Sequence, residues 1–158
     1  MFRLRRAAAA LSYEAERVLA AAGLRLIEFA ALAALVDRYE MSQAALGERI
    51  GLDRNGVSRV LDGLEEEGLV ARRPHATDGR RRVVEITAAG RSRLSAAEAD
   101  LDAIESAFLS VLHEVERDEL RDILRRLEPS PPALGDLYRL GPPGARSVHD
   151  WSELDEWD

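Results

Sequence analysis

Residues 46–73, LGERIGLDRNGVSRVLDGLEEEGLVARR, decide the fold. Gly51-Leu52-Asp53 separates two short runs of helical periodicity, and Asp53 is a good N-cap for the second. In that run Val57, Val60, Leu61 and Leu64 recur at helical spacing, so they form the buried side of a helix that stops at Gly68. The opposite face reads Arg54, Asn55, Ser58, Arg59 and Asp62. The preceding short helix starts at the N-cap residue Ser42 and ends at Gly51. Two short helices around such a turn suit a helix-turn-helix, in which the second presents its N-terminal residues outward.

The chain then changes character. LVARRP, a polar loop and RRVVEIT predict a β-hairpin. Five arginines, Arg72, Arg73, Arg80, Arg81 and Arg82, flank its Asp78-Gly79 turn. This concentration runs against the whole, because the 158-residue chain has a formal net charge of −7. Residues 71–93 hold 7 arginines against 2 acids, whereas residues 94–128 hold 4 against 10. A negative total repels a polyanion, but within about one Debye length the local patch decides association.

The remainder predicts a mainly α protein. An Ala- and Leu-rich helix covers residues 3–21 and is interrupted by Gly23. A second helix runs from about Leu24 to Arg38, with Leu24, Ile27, Ala31 and Leu35 one turn apart. Thr87 caps a long helix reaching about Glu114, whose apolar stripe is Leu94, Leu101, Ile104, Phe108, Val111 and Val115. A last helix carries Leu120, Ile123, Leu124 and Leu127. The long helix exceeds what a small winged domain can cover, so a partner helix from a second copy is expected. Residues 129–158 form an acidic tail containing Pro, Gly, Trp151 and Trp157. Loose order is the plainer reading of that tail; docking of Leu137, Tyr138, Trp151 and Trp157 on the body or a partner is the sharper one.

Arginine and asparagine pair bidentately with guanine and adenine edges, and serine bonds a phosphate or a base. For the second helix alone, a solvated face explains the same residues. The hairpin shifts the balance, because a wing beside a recognition helix puts cations into the minor groove, where arginine is favoured. Arg72, Arg73, Arg81 and Arg82 are then placed for flanking phosphates, with Arg80 near the tip. Asp78 accepts hydrogen bonds from its own turn or pairs with an arginine.

From Leu24 to Leu127 the chain resembles the multiple-antibiotic-resistance regulator (MarR) family. The carrying residues are the opening stretch and TDGRRRVVEITAAGR, residues 77–91, with Asp78-x-Arg80 in the wing and Ile86-Thr87-x-x-Gly90 after it. The resemblance implies a winged helix-turn-helix homodimer that binds pseudo-palindromic double-stranded operators and is released by a small-molecule effector. On this reading residues 1–128 are one domain, with a winged core at 24–90 and dimerisation helices at 1–22 and 91–128. The residues assigned to DNA are Ser42, Arg54, Asn55, Ser58, Arg59, Arg72, Arg73, Asp78, Arg80, Arg81 and Arg82. Arg59 is expected in the major groove and Arg80 in the minor groove. Effector-pocket candidates, equally compatible with a core role, are Leu11, Tyr13, Phe29, Leu32 and Arg49. Gly47 stands where the family usually has alanine, and Gly56 where Ser or Thr is common, which removes one expected contact.

Other functions find little support. His75, His113 and His149 are scattered without a metal-ligand spacing, and no catalytic motif, phosphate loop or cofactor fingerprint occurs. With no cysteine, thiol oxidation is excluded as a signal. No apolar run approaches the ~20 residues of a membrane span, so no membrane partner is expected and the cytoplasm is the default location. The expectation is therefore a non-enzymatic repressor without cofactor or metal. The rival is a winged-helix protein-interaction module that uses the acidic tail.

Overall fold

The alanine-rich segment Leu26–Val36 forms helix α2, around which the other elements are arranged. A computed structural model of the chain describes residues 2–36, 41–74 and 82–127. Before α2 comes α1 (Phe2–Ala21), and after it β1 (Met41–Ser42), α3 (Gln43–Ile50) and α4 (Arg54–Glu66). Then follow β2 (Val70–Pro74), β3 (Arg82–Ile86), α5 (Ala88–Phe108), a 3₁₀ turn at Leu109–Val111, and α6 (Glu114–Leu127). This is the expected mainly helical winged helix-turn-helix. The wing tip with Asp78, Arg80 and Arg81, the histidines His75 and His149, and the tail lie outside the described residues.

Small side chains explain the central place of α2. Ala30, Ala31 and Ala34 let α1, α3, α4, α5 and β3 approach it, while Leu32 and Leu35 fill the space between. The four apolar residues expected on the inner side of α4, Val57, Val60, Leu61 and Leu64, are all buried.

Local chemistry sets the ends of the helices. Ser42 Oγ accepts from the Ala45 N–H at 3.1 Å, Asp53 Oδ1 from Gly56 at 2.7 Å, and Thr87 Oγ1 from Gly90 at 3.0 Å. Each satisfies a donor that the first turn leaves open. Gly51 ends α3 at φ 70°, a left-handed conformation that favours glycine. At α2, Glu28 is buried and its carboxylate accepts from the Arg25 N–H at 2.8 Å, half of a capping box. The Arg25 guanidinium bonds the other oxygen at 2.6 Å, so the buried charge is paired, and this hydrogen bond raises the arginine's pKa.

Two features depart from the sequence expectation. First, β1 pairs antiparallel with β3, Met41 opposite Val84 and Ser42 opposite Val83. The sheet has the order β1-β3-β2, which makes the second wing strand central and buries Val83, Val84 and Ile86. Second, the helix starting at Thr87 ends at Phe108 and does not run on to Glu114. Two side chains seal the break. Glu116 accepts from the His113 N–H at 2.8 Å, and Arg117 Nε donates to the carbonyls of Leu109 and Leu112 at 3.0 and 3.1 Å. Three of the groups left open by the interruption are thus satisfied, and the stripe reaching Val115 is divided between two helices.

Gly90 and Gly47 sit where backbone meets backbone. A Cβ on Gly90 would lie 2.1 Å from the Leu69 carbonyl oxygen, and one on Gly47 would lie 2.9 Å from that of Leu52. Gly90→Ala is expected to lower stability by about 2–3 kcal/mol through overpacking. Gly47→Ala should cost less, because alanine returns up to ~1 kcal/mol of helix propensity. Urea denaturation of both variants beside wild type checks this order; equal midpoints for Gly90→Ala and wild type contradict it.

Candidate nucleic-acid interface

The N-cap of α3, the first turns of α4 and the base of the wing meet at one open groove. Its volume is about 800 Å³, and its polar lining includes Ser42, Gln43, Arg54, Asn55, Ser58 and Arg82. Ser42 arrives there because it both caps α3 and pairs with β3. Arg54 and Asn55 follow the Asp53 cap and so begin α4, where the helix N-terminus adds a positive end of its dipole. Arg82 opens β3, opposite Pro74. Five of the eleven residues assigned to DNA from sequence therefore share one concavity.

The others divide. Arg59 is exposed on α4, one turn after Asn55. Arg73 is exposed on β2, and its guanidinium pairs with Glu85 on β3. Arg72 is turned inward, with only 12% of its side chain accessible, onto Asp62 and Glu65 of α4. Asp78, Arg80 and Arg81 lie outside the described residues.

Gln43 and Glu48, not singled out in the sequence, also line the groove. The position of Gln43 directly after a cap was the available signal for it. Glu48 carried none, because a single acid on a short helix reads as solvated surface. As a lining residue beside Arg54 and Arg82, Glu48 lowers the net positive charge of the groove.

The residues assigned to an effector pocket differ in exposure. Tyr13 is exposed on α1, Leu11 on α1 and Phe29 on α2 are half-buried, and Arg49 on α3 is half-buried. Leu32 has no exposed surface and belongs to the core. None of the five lines the groove. Among the described residues no group of three His, Asp or Glu could hold a metal ion, and no single helix is long and apolar enough to cross a membrane.

Comparison with known proteins points in one direction. The MarR family model matches residues 22–81. The HTH-type transcriptional repressor Mb2911 of Mycobacterium bovis is 32% identical over 124 residues, 78% of this chain and 89% of that one. The chain spans about half the length, 54% and 52%, of two further curated relatives that it matches. The Mycobacterium tuberculosis MarR family protein Rv2887, solved in complex with DNA, superposes with a TM-score of 0.70 at 30% identity, covering 81% of this chain and 96% of that one. CouR from Rhodococcus jostii RHA1, solved bound to p-coumaroyl-CoA, superposes with a TM-score of 0.65 at 26% identity, covering 83% and 92%.

The Arg73–Glu85 pair gives the wing a dependence on pH. The hydrogen bond from Arg73 holds the Glu85 carboxyl below its ordinary value of 4.5; partial burial opposes this, and the charges of Arg73 and Arg91 add to it. A carboxyl lowered in the folded state contributes stability that is complete above the ordinary value. That contribution is lost as pH falls through the lowered one. Wild type should therefore lose stability more steeply than Glu85→Gln as pH falls from above the ordinary value of 4.5 through the lowered one. Urea midpoints measured across that range check it, and parallel curves contradict it.

Proposed function

Because the chain belongs to the MarR family of transcriptional regulators, we propose that it is a sequence-specific double-stranded DNA-binding regulator, a homodimeric repressor of a pseudo-palindromic operator that answers a small-molecule effector. The observation that carries the DNA reading is the groove in which Ser42, Arg54, Asn55, Ser58 and Arg82 converge beside exposed Arg59. Arg54, Asn55 and Arg59 read base edges in the major groove, while Ser42, Arg73, Arg81 and Arg82 hold flanking phosphates. Arg80 enters the minor groove. The complex of Rv2887 with DNA supports this use of the fold. The protein acts where its operator is, in the cytoplasm.

Residues 24–90 serve as the DNA-binding core and residues 1–22 and 91–128 as the dimerisation region. Exposed apolar side chains support the dimer. No residue of α6 is buried, and Val115, Ile123, Leu124 and Leu127 face outward with Val111 before them and Phe2 and Leu4 on α1. A second copy is the economical cover for such a surface. It would set two recognition helices about 34 Å apart, one turn of DNA. The p-coumaroyl-CoA complex of CouR supports a small-molecule response, for which Leu11, Tyr13, Phe29 and Arg49 are the proposed lining.

Arg59→Ala and Arg80→Ala should each weaken operator binding by about 1–3 kcal/mol while helical circular dichroism stays unchanged. Arg59→Ala should also relax base preference. Logarithmic affinity should fall with logarithmic salt at a slope near −0.9 per neutralised phosphate. Footprinting on the DNA flanking the coding region should show two half-sites. Unchanged affinity in both variants would overturn the proposal. Deleting residues 114–127 should give a monomer by sedimentation, and a dimer that survives the deletion contradicts the interface.

A further inference from the structure

Arg72 carries a role that the wing's basic character conceals. Its guanidinium sits over a stripe of α4 formed by Ser58, Asp62 and Glu65, spaced four and three residues apart. Nη1 donates to Asp62 Oδ1 at 2.6 Å and to Glu65 Oε2 at 3.2 Å, and Nη2 donates to the Ser58 carbonyl at 3.1 Å. The Arg72 backbone N–H adds a bond to Glu65 Oε1 at 3.1 Å. One residue of β2 thus makes four hydrogen bonds to three residues of α4. The planar fork of arginine suits this arrangement, and the single point charge of lysine does not.

A free phosphate clamp would present a cation to solvent. Arg72 presents almost none, being enclosed by two carboxylates whose combined charge exceeds its own. The pairing also offsets the charge of Asp62, whose side chain stays 59% exposed beside the face that Arg54, Asn55 and Arg59 offer to bases. We propose that Arg72 is a positioning residue, a brace that fixes the wing to the recognition helix so that both reach DNA in one register, and makes no phosphate contact itself. This rests on the DNA-binding reading above. Two grooves read together need their readers held at a fixed separation, and the loss of that register falls on the operator more than on DNA at large.

The test uses the full-length protein, a duplex that wild type selects from a random-sequence pool, and an unrelated duplex. Arg72→Met alone would leave Asp62 and Glu65 unneutralised near the phosphates. The informative variant therefore combines it with Asp62→Asn and Glu65→Gln. A brace predicts that this triple variant loses operator affinity about tenfold or more, retains affinity for the unrelated duplex, and keeps the wild-type salt slope. A phosphate contact predicts equal losses on both duplexes and a slope shallower by roughly 0.9; that result overturns the proposal. A merely structural role would lower the melting temperature and leave the preference of the folded fraction intact, which overturns it too.

Should the triple variant fail to fold, Arg72→Lys decides. Lysine preserves a phosphate contact but cannot rebuild the fork, so operator preference should still fall, and full preference with lysine refutes the brace. Amide hydrogen exchange without DNA separates this inference from the function on which it rests. Arg72→Met should speed exchange in β2 and β3 while sparing α2, whether or not wild type binds any duplex. Unchanged exchange in the two strands refutes the brace, and failure of wild type on every duplex refutes the DNA-binding function alone.

Discussion

The geometry of the molecule depends on the junction where the sheet ends and α5 begins. Thr87 Oγ1 donates to the Gly68 carbonyl at 2.8 Å and accepts from the Gly90 N–H, while the Thr87 N–H donates to the Leu69 carbonyl at 3.0 Å. One side chain thereby joins the turn after α4, the exit of β3 and the first turn of α5. Gly90 lets the helix come down onto the Leu69 carbonyl, which any side chain there would push away. From this contact follow the direction of α5, its packing on α1 and α2, and the place of the winged core beneath it. The Ile86-Thr87-x-x-Gly90 pattern therefore has a physical content: a cap, and a close approach three residues later.

Charge is segregated along the fold in a way that the net value hides. The acids of α5 and α6 lie on exposed helix faces, and in α6 Asp118 pairs with Arg121 and Asp122 with Arg125, one turn away. Such exposed pairs add little stability. The arginines around the wing are handled differently. Arg72 and Arg73 each meet a carboxylate on a neighbouring element, so part of the basic run is consumed in building the wing, and the cation offered outward is smaller than the sequence suggests.

Much of this was readable from the sequence because the signals were local. Ser42, Asp53 and Thr87 announce themselves as caps, and the spacing of Val57, Val60, Leu61 and Leu64 fixes which side of α4 is inside. The features that were not legible depend on partners distant in the chain. A strand of two residues has no alternation to detect, so β1 becomes visible only once β3 lies beside it. The end of α5 at Phe108 has no glycine or proline to mark it and is held by Glu116 and Arg117 from beyond the break. Arg72 and Arg82 are indistinguishable as letters in a basic run. Only the fold shows that one faces two acids of α4 and the other faces the groove.

The break between α5 and α6 has a mechanical consequence. A continuous rod would transmit the orientation of its far end directly to the winged core. Here the two arms are set by a five-residue corner whose side-chain fastenings, Glu116 and Arg117, come entirely from the α6 side. An arm of fourteen residues is about 21 Å long, so a turn of roughly ten degrees at the corner swings its tip by about 4 Å. A change of a few hydrogen bonds at the corner would therefore amount, at the tip, to a displacement on the scale of a base-pair step.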